Sequence, residues 1–249
     1  MEYSNLFLFA LPIVAFLYAS VGHGGASGYL ALMALFSVAP ETMKPTALLL
    51  NLFVAGIAFI QFARAGHFKL NLFLVFAILS VPFSFLGGSM EIDPGLYKII
   101  LGVLLLFAIL RMMGWIGNSE EGDHFSSSRM NWSLGLLVGG AIGYFSGLIG
   151  IGGGIILSPV ILLLGVGSVK QAAAVSALFI WVNSAAGLGG QLYSGITFNS
   201  NIWLYVSLAV LGGFFGAYFG SYRWNSRVLR YMLAFVLVLA SVKLIWTGI

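Results

Sequence analysis

Six stretches of this chain, at 46–63, 70–90, 95–113, 171–193, 201–222 and 227–247, stay apolar for the length that a helix needs to cross a bilayer. That length is about 17–25 residues. Each stretch is bounded by a charged or turn-forming patch, such as Arg64-Ala65-Gly66-His67 or Glu91-Ile92-Asp93-Pro94. Backbone in hydrocarbon must satisfy its own hydrogen bonds, so spans of this length are expected as helices. Composition agrees: 60% of the 249 residues are apolar and 7% are charged, against about 25% charged in a soluble domain. A water-soluble enzyme and a disordered chain are both excluded. The net charge of +4 is spread along the whole length and makes no basic patch, so no nucleic-acid partner is expected. With no cysteine there are no disulfides, thiolate metal sites or thiol nucleophiles. The first apolar stretch lacks a basic leader and a small-residue cleavage site, and is expected to belong to the fold.

Two more apolar segments are interrupted. Residues 5–38 break at Gly22-His23-Gly24-Gly25, and residues 132–166 at Gly150-Ile151-Gly152-Gly153-Gly154. The only long polar stretch, 114–131, contains Glu120, Glu121, Asp123 and His124. It divides the chain into a first transmembrane repeat at 1–113, a polar cytoplasmic linker at 114–131 and a second repeat at 132–249. The halves match in order. Val21-Gly22-His23-Gly24-Gly25 corresponds to Ile149-Gly150-Ile151-Gly152-Gly153, and Thr46-Ala47-Leu48 to Ser176-Ala177-Leu178. Leu86-Gly87-Gly88-Ser89 corresponds to Tyr218-Phe219-Gly220-Ser221, and the spacing stays near about 128–132 residues.

Lysine and arginine mark cytoplasmic loops. In the first half Arg64 and Lys69 flank one loop, while Glu91, Asp93 and Lys98 follow the next helix. In the second half the loop at 194–200 is uncharged, and Arg223, Arg227 and Arg230 come after the next helix. The bias is reversed, which predicts two inverted-topology repeats. Inversion needs an odd number of crossings per half. Three crossing helices supply it if each broken segment, about 34–35 residues long, enters and leaves on one side as a re-entrant-like helix pair. The expected fold is therefore an all-α polytopic membrane protein with both termini outside. The competing arrangement treats each broken segment as one crossing and gives eight spans in parallel repeats.

Irregular backbone inside a bilayer is tolerated where it is buried in protein or lines a wet cavity. A helix restarting near Ser27 or Ile155 would present unpaired N–H groups and a partial positive charge. Two such termini facing one another near midplane would bind an anion without a buried lysine. The ridges Gly139/Gly143/Gly147 and Gly212/Gly216/Gly220 read instead as close helix packing. A phosphate loop is excluded because Ile155 and Ile156 follow the second glycine run where Lys-Ser/Thr would be required.

Candidate substrate-binding residues are Gly22, His23, Gly24, Gly25 and Ser27 in the first break, and Gly150, Gly152, Gly153 and Gly154 in the second. Thr46, Asn51, Ser176, Asn183 and Gln191 are added as uncharged polar groups within spans. His23 is the one ionisable side chain expected near midplane, and so the proton-coupling candidate. A neutral histidine bonded to nearby backbone is the structural alternative. Pro12, Pro82 and Pro159 are expected at kinks, and Trp132, Trp203, Trp224 and Trp246 at headgroup level.

In its paired glycine breaks, the Thr46-Ala47-Leu48 and Ser176-Ala177-Leu178 runs, and Gly147-Leu148-Ile149-Gly150-Ile151-Gly152-Gly153-Gly154, the whole chain resembles the TauE/SafE sulfite exporter family. The resemblance implies transport of sulfite, sulfonates or related sulfur-containing organic anions across a bacterial inner membrane. The first half departs from the glycine-rich pattern by placing His23 in the break. The expected function is a secondary transporter of a small sulfur-containing oxyanion, with no cofactor and no metal. The partners are that anion and the bilayer, and homo-oligomerisation is left open. A passive anion channel using the same site is the alternative. An intramembrane enzyme is disfavoured because the spans offer no nucleophile elbow and no supporting carboxylate.

Overall fold

The computed structural model describes residues 5–20, 22–112, 131–196, 198 and 201–222, with positions 238, 241, 242, 245 and 246. Linker residues 114–130, both termini, Arg223, Trp224, Arg227, Arg230 and most of the last apolar stretch lie outside the described residues. The described residues are helical, in the order α1 Asn5–Ser20, α2 Ala26–Leu35, α3 Pro40–Arg64, α4 Leu70–Ser89, α5 Pro94–Met112, α6 Trp132–Ile149, α7 Gly154–Leu163, α8 Val169–Tyr193 and α9 Ile202–Tyr222. Five of them, α3, α4, α6, α8 and α9, are long and apolar enough to cross a membrane. The protein is thus an all-helical polytopic membrane protein among its described residues.

The two interrupted segments each form a helix, a glycine turn and a ten-residue helix, α1–α2 and α6–α7. A 25-residue helix follows in both cases, α3 and α8. The helices restart at Ala26 and Gly154, one residue before the expected positions. Pro12 and Pro82 lie inside α1 and α4. Trp132 and Trp203 stand at or near the starts of α6 and α9, half or more exposed.

Helix packing follows the small residues. On α6, a Cβ at Gly139, Gly143 or Gly147 would meet the carbonyl oxygen of Phe76, Ser80 or Ser84 on α4. On α9, Gly212 and Gly216 stand in the same relation to Pro12 and Phe16 of α1. Backbones come this close only where no side chain intervenes, as in small-xxx-small crossings between membrane helices. Residue numbers rise together in both sets, so α6 runs parallel to α4 and α9 parallel to α1. The α3–α8 contact advances oppositely. Leu48 meets Gly187, Asn51 meets Ser184, Gly56 meets Trp181, and Phe62 packs with Ala173. These two long helices are antiparallel and cross at the middle of the structure. Ser80 and Ser84 pair with Asn183, and Gly88 with Gly187, so α4 runs parallel to α8.

The start of α8 carries a capping box, in which Ser168 accepts from the Gln171 N–H and Gln171 returns the bond. The start of α6 is capped by the Asn131 carboxamide. The starts of α2 and α7 have no side-chain cap.

The α4–α6 contact gives a paired test. Gly143→Ala forces a methyl into the Ser80 carbonyl, and overpacking of this kind costs about 1–3 kcal/mol. Gly140→Ala, whose methyl would lie in ordinary contact 3.5 Å from Leu79 Cβ, should be neutral or stabilising by up to about 1 kcal/mol, the helix preference of Ala over Gly. Thermal unfolding of the two variants in detergent measures the contrast.

Candidate functional site

Both breaks begin with the same backbone turn. Gly22 and Gly150 take left-handed conformations, with φ of 77° and 87°. The residue after each closes back on the helix: His23 N–H donates to the Tyr18 carbonyl at 3.0 Å, and Ile151 N–H to the Ser146 carbonyl at 3.2 Å. This is the bonding that ends a helix at a glycine. The chain then turns into the next helix through a second left-handed glycine, Gly25 at φ 98° and Gly153 at φ 75°. An L side chain at those angles costs about 1–2 kcal/mol, so the composition of each break follows from its geometry.

The first N–H groups of α2 and α7 have no acceptor within their own helices. They lie in the protein interior, and Gly25, Ala26, Ser27, Gly153, Gly154 and Ile155 are all buried. Elsewhere such groups meet water or a capping side chain. Here they meet neither a cap nor the surface.

Asn51 on α3 lies between the two breaks. Its Oδ1 is the atom that a Cβ on Gly24 would meet, and its Nδ2 the atom that a Cβ on Gly152 would meet. Nδ2 donates to Ser184 Oγ on α8 at 3.3 Å, whereas Oδ1 has no partner. Ile180 on α8 also packs against Gly24, Gly152 and Gly154. One amide and one branched side chain from the crossing helices thus span both glycine turns.

A small cavity opens at this junction. Its polar wall is His23, Gly24, Gly25, Ser27 and Asn51, and its apolar wall is Ile151, Ile155 and Ile180, with Tyr18 and Ala26 completing it. Five sequence-predicted residues are therefore brought together. The second break contributes isoleucine side chains to the lining, while Gly152, Gly153 and Gly154 lie behind them against Asn51, Phe179 and Ile180. Gly22 packs against Ala173 and Phe62, and Gly150 against Lys44.

The remaining candidates sit elsewhere. Asn183 accepts from Ser80 Oγ at 2.6 Å and donates to the Phe179 carbonyl at 2.8 Å, tying α8 to α4. Thr46 and Gln191 are buried off the cavity, and neither polar atom of the Gln191 amide has a partner. Ser176 reaches the site indirectly. Its Oγ is 2.8 Å from Ser158 Oγ, which is 3.3 Å from His23 Nε2 and 3.1 Å from the Gly154 carbonyl. A hydroxyl has one proton and two lone pairs. Ser158 therefore donates to one neighbour and accepts from others, joining the first break to α7 and α8.

Sequence reasoning missed three hydroxyls. Ser158 is a single polar residue one turn into an otherwise apolar α7, and that isolation is the signal that marks it. Tyr18 accepts from Ser27 Oγ at 2.9 Å. Tyr29 is fully buried, lies against Gly25 and has no partner for its hydroxyl. Among the described residues, no cluster of His, Asp, Glu or Cys is arranged to hold a metal ion.

The family model described as Sulfite exporter TauE/SafE matches residues 6–244. The chain belongs to that family. Curated relatives agree. "Probable membrane transporter protein y4hK" of Sinorhizobium fredii is 36% identical over 238 residues, covering 95% of this chain and 96% of the relative. "Probable membrane transporter protein YunE" of Bacillus subtilis is 25% identical over 232 residues, covering 85% of this chain and 83% of the relative. "Probable membrane transporter protein ORF9" of a Sinorhizobium species is 30% identical over 215 residues, with 85% and 79% covered. No solved structure matches the chain. This is a multi-pass membrane protein of a transporter family.

The Asn183 contacts predict a stability effect. Asn183→Ala leaves the buried Ser80 hydroxyl without its acceptor, and an unsatisfied buried group costs about 1–3 kcal/mol. Unfolding in detergent should register that loss, with Ser89→Ala, at an exposed intrahelical bond, as a near-neutral control.

Proposed function

We propose that the protein is a secondary transporter that exports a small sulfur-containing oxyanion, such as sulfite or an organosulfonate, across the cell membrane. The observation that carries this is the pair of buried, uncapped helix starts at Gly25 and Gly153, gathered around Asn51. Burying N–H donors without partners is costly, and an anion satisfies them while interacting favourably with both helix dipoles. Among the described residues no lysine or arginine lines the cavity, so backbone N–H, hydroxyl and amide groups bind the anion without fixing it too tightly for release. Sulfur chemistry comes from the family, whose description names sulfite.

The two halves act as inverted repeats in this proposal. Helix directions support it. Because α6 and α8 both run parallel to α4, and opposite to α3, α6 and α8 start on the face where α3 ends. The intervening α7 then returns to that face. Because α1 runs parallel to α9, α1 starts on the opposite face, and α2 returns there before α3 begins. Each glycine break is thus the tip of a re-entrant pair, and the two pairs enter from opposite sides. Among the described residues Arg64, Lys69 and Lys170 fall on the face where α3 ends, and Lys44 and Lys98 on the other, beside Glu41, Glu91 and Asp93. The positive-inside bias makes the first face cytoplasmic, with the linker there and both termini outside. Alternating exposure of the central cavity follows from rocking one pair against the other. His23 is the proton-coupling residue of this scheme, since its ring is in the cavity wall and bonded to α7 through Ser158.

Purified protein in liposomes tests this proposal. Saturable sulfite counterflow is expected, and His23→Gln is expected to remove its dependence on a proton gradient while retaining binding. Gly24→Leu, which drives a side chain into the Asn51 amide, should abolish anion binding. Conductance without counterflow would establish a channel in place of the transporter. Absence of flux for sulfite and small sulfonates under every ion gradient would overturn the proposal.

A further inference from the structure

The anion site has a feature that a simple anion does not satisfy. Asn51 is fully buried in the cavity wall, and its Oδ1 is turned toward Gly24 without a hydrogen-bond donor. The other end of the amide is engaged, with Nδ2 donating to Ser184 Oγ and lying beside Gly152. Apart from the His23 ring, whose nitrogens donate or accept according to tautomer, the polar groups beside it are donors: the first N–H groups of α2, and the Ser27 hydroxyl once it turns from Tyr18. A fully deprotonated oxyanion placed there would set its own oxygens against the Asn51 oxygen. An oxyanion that keeps one hydrogen would complete both sets, its oxygens accepting from the helix start and its hydrogen donated to Oδ1.

We infer that the cavity selects a singly protonated oxyanion, hydrogen sulfite in preference to sulfite dianion or a sulfonate, with Asn51 as the specificity-determining acceptor. This rests on the transport reading above and narrows its substrate. The logic is that of sites built to hydrogen-bond a substrate hydrogen, which reject analogues lacking it because a buried group is left unpaired. It also keeps the charge in the pore at one. A monoanion is easier to desolvate than a dianion, which suits a cavity walled by Ile151, Ile155 and Ile180.

Among the described residues, the titratable groups on the elements around Asn51 are His23 in the first break, Tyr18 on α1 and Tyr29 on α2. Helix α7 carries none, nor do α8 between Val175 and Tyr193 or the described α9 residues that pack on α3 near Val54. Titration of His23 would change the affinity of every monoanion together. Loss of the substrate's own proton would change that of sulfite alone.

Methanesulfonate supplies the control, because it has one negative charge, three oxygens on sulfur and no exchangeable hydrogen. Binding of sulfite and methanesulfonate to purified wild-type protein is measured across the range in which hydrogen sulfite loses its proton. At the acidic end sulfite is expected to bind at least about tenfold more tightly than methanesulfonate, the ratio for one well-made hydrogen bond to a charged partner. As pH rises, sulfite affinity should fall by up to about tenfold per unit relative to methanesulfonate. Asn51→Leu should erase the difference between the two anions and the divergence of their pH profiles.

Equal affinities at acidic pH in the wild-type protein would overturn the inference and leave the transport reading intact. So would a sulfite affinity that rises with pH, because the amide would then be presenting Nδ2. If neither anion binds or moves, the transport reading itself fails. The wild-type comparison needs no variant, so it decides the matter even if Asn51→Leu does not fold.

Discussion

A backbone N–H inside a membrane protein has to find an acceptor, and most of this architecture follows from two places where the helix cannot provide one. A helix that stops at a glycine turn and restarts leaves its new first turn open. At the surface, water or a cap closes it, as Ser168 and Asn131 do for α8 and α6. At Gly25 and Gly153 the surroundings are protein. The long helices α3 and α8 cross at this level, and their side chains Asn51 and Ile180 touch both turns. The breaks are not tolerated despite the fold; the crossing of α3 with α8 is what encloses them.

Close packing of the outer helices is the second necessity. The α4–α6 and α1–α9 contacts bring backbone against backbone through glycines, Gly139, Gly143 and Gly147 of α6 with Gly87 of α4 in one and Gly212 and Gly216 of α9 in the other. Serines on α4 use the same contact for polar work, with Ser80 and Ser84 both reaching Asn183. Small residues here bring helices together and give hydroxyls short paths to buried amides.

Much of this was legible in the sequence, because its signals are local. Uninterrupted apolar stretches of crossing length give the long helices, and a glycine cluster within such a stretch gives a break to within one residue. The candidate site was legible where the chemistry sits inside the break itself: His23, Gly24, Gly25 and Ser27. Asn51 is legible, together with Asn183, as an amide within a span that needs several partners. What the sequence does not carry is partnership across distance. Asn183 reads like Asn51 on paper, yet its carboxamide is satisfied by Ser80, 103 residues away. Ser158, Tyr18 and Tyr29 gain their interest from which turn or ring they face, and a one-dimensional pattern does not hold that. The isoleucines of the second break were passed over because an apolar residue in an apolar run carries no signal of lining a cavity.

The pairing of α1 with α9 has a consequence for the order in which the molecule is made. Synthesis releases α1 and its glycine turn first, and the glycine face on which α1 rests, Gly212 and Gly216, comes roughly 200 residues later. The α6 helix meets the opposite circumstance, since its partner α4 is already in the membrane when it arrives. The glycine contact of the first broken pair can therefore form only once nearly the whole chain has been made, whereas that of the second can form as α6 emerges. The oldest segment of the nascent chain is thus completed by one of the youngest, because its closest backbone contact is with α9.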